Sequence, residues 1–170
     1  MTPLGPVDVL GVPDARLRLF DRAGSAASDV AALAGNPSLT VRCLRGIKMR
    51  AYADLMTEFS AALQLPTYFG GNWDALDECL SDLDWFLPTT AIILRIDAPE
   101  QVLIDEEESD LRILVGIMRR AQAEFAASVD AGEQWDRPAI PFFTVLESSA
   151  DKLDVVERRW VPAGAALVRR

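Results

Sequence analysis

The sequence contains no histidine, and its two cysteines, Cys43 and Cys79, lie far apart in the chain. Histidine is the commonest general base and the commonest metal ligand in proteins. Its absence excludes a Ser-His-Asp or Cys-His catalytic site within this chain. Two isolated cysteines do not favour a zinc site of the usual Cys/His type, and we interpret both as small core residues.

Long apolar runs are lacking as well. No run approaches the roughly 18 residues typical of a membrane-spanning helix. Pro3, Pro6, Asp8 and Pro13 interrupt the first residues, where a secretory signal would be apolar. We therefore expect a cytoplasmic protein with reduced thiols. The length of 170 residues predicts one domain, and half of the residues are hydrophobic, which is enough for a folded core.

Basic residues are missing from residues 51–94, a segment that contains seven carboxylates. The net charge of -9 is unevenly distributed: residues 1–50 carry +3, residues 51–150 carry -14 and residues 151–170 carry +2. The acidic middle argues against nucleic acid and against an anionic membrane as direct partners, because phosphates would be repelled. It favours a basic protein or a cation.

Apolar periodicity predicts the order β-α-α-β-α-β for the body of the chain. Buried strands separated by helices indicate an α/β fold, with a small three-stranded parallel sheet and packed helices. We assign residues 39–150 to this domain. Residues 1–38 form an N-terminal extension with a possible strand and short helix, and residues 151–170 form a C-terminal extension. The predicted strands cover 39–44, 91–96 and 140–146, and the predicted helices cover 52–63, 72–83 and 107–125.

The predicted helix 72–83 carries two opposed stripes. One is apolar and faces the core; it consists of Trp73, Leu76, Leu80 and Leu83. The other is mostly acidic and consists of Asp74, Asp77, Glu78, Ser81 and Asp82. Like charges four residues apart cost a helix about 0.2–0.5 kcal/mol per pair. A solvated face of an acidic protein would explain this stripe, but an uncompensated local cost favours a functional surface.

An aromatic and glycine-rich loop leads into this helix. Tyr68 and Gly70 lie at the helix entrance, where an aromatic ring and bare backbone can contact a partner. Asn72 is the predicted N-cap. Exposed aromatics beside unneutralised carboxylates indicate a surface that binds a positively charged partner.

These residues resemble the barstar family, the intracellular inhibitors of barnase-type ribonucleases. The match is strongest over Leu65–Leu80, where Leu-Pro, Tyr-aromatic-Gly and Asn-x-Asp-Ala-Leu follow in one order. The resemblance covers about 39–148. It implies a barstar-like fold and a protein that is not an enzyme and needs no cofactor or metal. It also implies an immunity protein that binds and blocks a basic extracellular-type ribonuclease or a related toxin.

The resemblance also implies which residues contact the partner. Glu78 occupies the place of the family's central aspartate, which enters the phosphate site of the enzyme. Asp77 stands where barstar itself has a tryptophan, and Arg120 stands where it has a glutamate. These departures favour a related basic enzyme over barnase as the target. The predicted partner-binding residues are Tyr68, Gly70, Asn72, Asp74, Asp77, Glu78 and Asp82.

Two other functions remain open. The first is a non-inhibitory interaction module of barstar-like fold, which the extensions and Arg120 favour. The second is a carboxylate-based, metal-dependent hydrolase, because Asp74 and Glu78 lie one helical turn apart and could hold a divalent ion or act as an acid and a base. The absence of histidine and of nearby Lys or Arg argues against the hydrolase.

Overall fold

The structure, a computed structural model, describes residues 5–134 and 136–170. It contains one five-stranded sheet with helices on both faces. The strands are β1 (Leu17–Asp21), β2 (Leu39–Arg45), β3 (Ala91–Asp97), β4 (Phe142–Ser148) and β5 (Leu167–Arg169). The helices are α1 (Pro6–Leu10), α2 (Ser25–Leu33), α3 (Tyr52–Leu63), α4 (Trp73–Asp82), α5 (Glu108–Ala126) and α6 (Leu153–Trp160).

All strand pairs are parallel, and the order across the sheet is β2-β3-β4-β1-β5. The α/β class and the parallel sheet are confirmed, but the prediction of three strands was wrong. Both segments assigned to the extensions contribute strands, because β1 pairs with β4 and β5 pairs with β1. The domain boundaries at 38 and 150 stay a prediction.

A buried arginine explains why β1 did not look like a central strand. Arg18 interrupts the apolar run, although only 2% of it is exposed. Its guanidinium donates hydrogen bonds to the carbonyls of Leu10 at 3.0 Å and Val12 at 2.6 Å, and it lies 5.1 Å from the ring centre of Phe143. Charged groups are normally buried only when paired in this way. The local pattern therefore predicted a strand in the N-terminal extension but not its burial inside the sheet.

Two cores lie on opposite faces of the sheet. The larger core joins one face to α3, α4, α5 and α6, and the smaller core joins the other face to α1 and α2. Helix α5 packs on β4, and α4 packs against α5. The acidic helix is therefore supported by another helix, with one side free. Within the described residues, no helix is long and apolar enough to cross a membrane.

Candidate functional site

The loop between α3 and α4 is fixed to α3 by an aromatic contact. The Tyr52 hydroxyl donates a hydrogen bond to the Gly71 carbonyl at 3.2 Å, and the Tyr52 ring meets Trp73 edge-on with ring centres 5.2 Å apart. Gly71 has a φ of 63°, in the left-handed region that favours glycine. These contacts hold the loop backbone while the side chain of Tyr68 is 75% exposed.

At the start of α4, the backbone of Gly70 lies close to the side chain of Asn72. Asn72 caps the helix, because its Oδ1 accepts a hydrogen bond from the Ala75 amide at 2.9 Å. A Cβ atom at Gly70 would lie 3.2 Å from Asn72 Nδ2, so the glycine leaves room for this cap. The predicted cap is confirmed. The role of Gly70 and Asn72 in partner binding stays a prediction.

The two predicted stripes of α4 are present. Leu76, Leu80 and Leu83 are fully buried, and Trp73 is half-buried against the larger core. On the other side, the carboxylates of Asp74, Glu78 and Asp82 are exposed and Asp77 is half-exposed. The burial of the leucines fixes the rotation of the helix, and the acids consequently point away from the core.

One acid on this face is already neutralised by a cation from another helix. Nε of Arg120 lies 3.0 Å from both carboxylate oxygens of Asp77, and its Nη2 lies 3.0 Å from Oδ2. Both side chains reach solvent, with 58% of Arg120 and 32% of Asp77 exposed. The absence of Lys and Arg from residues 51–94 suggested an acidic surface without cations. Arg120 of α5 shows that the surface does contain one. Local sequence could not show this pair, because Arg120 lies 43 residues from Asp77.

The remaining three acids of the face have no such neutralising partner. Across residues 5–134 and 136–170, no salt bridge involves Asp74, Glu78 or Asp82, whereas Asp77 has one. Asp82 is exposed as a whole residue, but partial burial of its carboxylate raises its pKa, and the charge of Asp84, a hydrogen bond with Asp84 and the charge of Glu78 raise that pKa further. Negative charge thus accumulates toward the end of α4.

The hydrolase hypothesis would need a set of metal ligands. In the part of the chain that the structure describes, no group of three or more Cys, Asp or Glu side chains lies close enough to hold a metal ion. Asp74 and Glu78 together provide two carboxylates from one helix. The donor set needed by that hypothesis is not assembled on this face.

The carboxyl edge of the sheet is a second place where a ligand could bind. In open parallel sheets, ligands often bind between two adjacent strands whose following connections run toward opposite edges of the sheet. In this sheet those two strands are β1 and β4. Arg22 forms an ion pair with Asp97 at this edge, and Arg95 holds the buried Glu147 with an Nη2–Oε2 distance of 2.7 Å. The sequence has no G-x-x-x-x-G-K-[ST] loop to cradle phosphates. Paired charges rather than an open anion site occupy this edge.

The barstar resemblance is confirmed by comparison with protein families. The family model described as Barstar (barnase inhibitor) matches residues 39–147, almost two thirds of the 170-residue chain. The chain belongs to the barstar family. The match contains the loop, α4 and Arg120, so the whole candidate surface lies within the family region.

Solved structures were also compared with the chain. The ORC2 protein of Aeropyrum pernix, in its ADPNP and ADP complexes, is similar with a TM-score of 0.54 and 11% identity, over 93% of this chain and 41% of that chain. Cdc6p of Pyrobaculum aerophilum has a TM-score of 0.49 and 14% identity, over 91% of this chain and 38% of that chain. This chain thus spans about two fifths of those structures. The likeness to ORC2 shows a shared fold alone. No curated protein matches the chain.

Proposed function

We propose that this protein binds and blocks a basic ribonuclease or a related toxin, acting as a cytoplasmic immunity protein without catalysing a reaction. One observation carries the proposal: Asp74 and Glu78 are exposed on a supported helix and have no salt-bridge partner among the described residues. A ribonuclease holds its phosphodiester with Arg and Lys. Carboxylates at the same positions accept charge-assisted hydrogen bonds from those groups.

The rigidity of the surface supports this mechanism. The cap on α4, the Tyr52–Gly71 hydrogen bond and the packing on α5 order the backbone that carries the carboxylates before a partner arrives. Pre-ordered groups lose less entropy on binding and therefore give higher affinity. Tyr68 adds an exposed aromatic side chain of the kind that often anchors a protein interface.

The charge distribution supports fast association with a basic partner. Residues 51–150 carry a net charge of -14, to which Asp74, Glu78 and Asp82 of α4 contribute. Electrostatic attraction raises association rates about 10- to 1000-fold over those of neutral pairs at low salt. The same charge repels nucleic acid and anionic lipid, so we propose neither as a direct partner.

The Asp77–Arg120 pair indicates which basic partner fits. A cation placed over Asp77 would meet the charge of Arg120, and like charges across an interface cost several kcal/mol. The partner's cations are therefore expected opposite Asp74 and Glu78. This arrangement favours a basic enzyme other than barnase.

Alanine substitution along α4 tests the proposal. Glu78→Ala should weaken binding to the cognate ribonuclease by about 2–5 kcal/mol, because it leaves desolvated cations of the enzyme unpaired. Asp74→Ala should cost less and Asp82→Ala least. Affinities can be measured by calorimetry after the enzyme from the same source is captured by pull-down. Asp29→Ala, an exposed acid on α2, is the matched control. Unchanged affinity in Glu78→Ala would exclude the phosphate-site mechanism.

A non-inhibitory interaction module is the second candidate function, since Arg120 already neutralises part of the acidic face. Co-expression separates the two candidates. An inhibitor should rescue the growth of cells that produce the ribonuclease. A module should give no rescue and form no complex with the enzyme.

A further inference from the structure

An apolar cavity lies at the amino ends of β1 and β4, against the last turns of α5. Its volume is about 430 Å³, within the range of small-molecule sites. None of the predicted partner-binding residues lines it. The apolar walls come from three separate segments and include Pro13, Ala123, Ala126, Ala139, Ile140 and Phe142. Pro13 and the three alanines are exposed, so the cavity is open to solvent on one side.

One buried polar side chain, Gln122, lines this cavity, and only one of its two polar atoms has a hydrogen-bond partner. Gln122 is 4% exposed, and its Nε2 donates a long hydrogen bond of 3.4 Å to Thr144 Oγ1. Its Oε1 is buried and has no hydrogen-bond partner among the described residues. A buried acceptor without a donor is costly and is rare in folded proteins. Packing alone would be served as well by methionine, which has no polar atom to satisfy.

The other polar group in the lining is Asp14, which already has its partners. Its carboxylate accepts hydrogen bonds from the Arg16 amide at 3.0 Å and Arg16 Nε at 2.6 Å, and it lies 3.1 Å from Arg18 Nη1. These contacts lower its pKa against the effect of burial. The apolar walls of the cavity therefore lie beside one buried acceptor without a partner, and no side-chain charge in the lining is unpaired.

We propose that this cavity binds a small, neutral, apolar molecule that carries one N–H or O–H donor, and that the buried Gln122 amide turns toward the ligand so that Oε1 accepts that donor. The apolar body of the ligand covers the alanine, isoleucine and phenylalanine walls. The single donor fixes its orientation. This site is independent of the acidic face on α4, so its failure would leave the proposed inhibitor function unaffected.

A pair of isosteric probes tests the site on the full chain. Indole has one N–H donor, and indene has nearly the same shape without a donor. In NMR spectra of protein labelled at alanine and isoleucine methyl groups, indole should shift the signals of Ala123, Ala126, Ala139 and Ile140 in a saturable manner. Indene should bind about tenfold more weakly, as expected for one lost hydrogen bond.

Two variants make the result specific. Gln122→Met should remove the preference, so that indole and indene bind within about twofold of each other. Ala126→Leu should fill the cavity and weaken both probes about tenfold or more without changing Gln122. Ala53→Leu, another exposed helical alanine, should change neither affinity.

The proposal is overturned if indole produces no saturable shift of the lining methyl groups. It is also overturned if the parent protein binds indene as tightly as indole, or if Gln122→Met keeps the preference. If Gln122→Met does not fold, the Ala126→Leu and Ala53→Leu comparison decides. Equal indole binding in those two variants would then place the probe outside the cavity.

Discussion

Single side chains decide how α4 presents its carboxylates. The Asn72 cap satisfies one of the backbone donors left free at the start of a helix, and Gly70 leaves space for it. The Leu76 and Leu80 side chains then set the direction of the acids by their burial. The local sequence contains all of this information, because a cap and a helical period are short-range patterns.

The cap yields a stability prediction at this scale. Asn72→Ala should lower the free energy of unfolding by about 0.5–2 kcal/mol, because the Ala75 amide loses its acceptor. Asn72→Asp keeps an acceptor in place and should remain close to the parent. Urea unfolding followed by circular dichroism measures both. Equal stability of the two variants would contradict the capping role.

Asp82 yields a pH prediction. Its folded-state pKa is raised, so the folded protein binds this proton more tightly than the unfolded chain does. Stability is therefore lost as the pH rises from the ordinary aspartate pKa of about 4 through the raised value. Asp82→Asn should be more stable than the parent at neutral pH by a few tenths of a kcal/mol, since it removes like-charge contacts. Below pH ~4 the unfolding curves of Asp82→Asn and the parent should coincide. A gain in stability of the variant that persists at that pH would refute the raised pKa of Asp82.

Glu58 should behave in the opposite way. The side chain of Arg45 donates to it at 2.8 and 2.7 Å, and these hydrogen bonds lower its pKa despite its burial. The stability it contributes is present above its ordinary pKa of about 4.3 and is lost as the pH falls through the lowered value. Glu58→Gln should cost about 1.5–3 kcal/mol at pH 7, measured by chemical unfolding. A cost that does not shrink in acid would show that charge is not its origin.

At the scale of elements, an ion pair joins α4 to α5, and the sequence of neither helix alone predicts it. The Asp77–Arg120 bond joins residues 43 positions apart, and each looks like an ordinary exposed residue in its own helix. The place of β1 inside the sheet was missed for a similar reason, because the partners of Arg18 lie at the end of α1, in the loop that follows it and on β4. The sequence therefore predicted the patterns within single elements, but it did not predict the contacts between different elements.

A double-mutant cycle tests the pair between these helices. Asp77→Ala and Arg120→Ala should show a coupling of about 0.2–1 kcal/mol in unfolding free energy, the range expected for an exposed ion pair. The coupling should decrease in high salt. Arg119→Ala is the matched control, because the neighbouring Arg119 contacts the Gly164 carbonyl instead. The same coupling of Asp77 with Arg119 would contradict the assigned contact.

At the scale of the whole molecule, the sheet requires segments that the sequence placed in extensions. Leu17, Leu19 and Phe20 of β1 are buried in both cores, and β1 lies between β4 and β5. The family match stops at 147, so the family signal does not include these strands. Their short length and polar residues left no local sign that they belong to the main sheet.

This arrangement predicts the behaviour of a fragment. Residues 39–150 alone should lack a cooperative unfolding transition, because the fragment exposes the β4 edge and part of both cores. The full chain should unfold cooperatively, as followed by circular dichroism and NMR. A fragment with dispersed NMR signals and parent-like stability would show that the extensions are dispensable.

The position of β1 also has a consequence during synthesis of the chain. Arg18 aligns with Val145 and Leu17 aligns with Leu167, so β1 cannot pair with its neighbours until most of the polypeptide has been made. Pairings between distant segments form slowly, because a long loop must close first. Newly made protein therefore passes through a stage in which α4 has been translated while the sheet beneath α5 is still incomplete. The time at which the acidic face of α4 becomes fully supported is then set by translation and by late strand pairing.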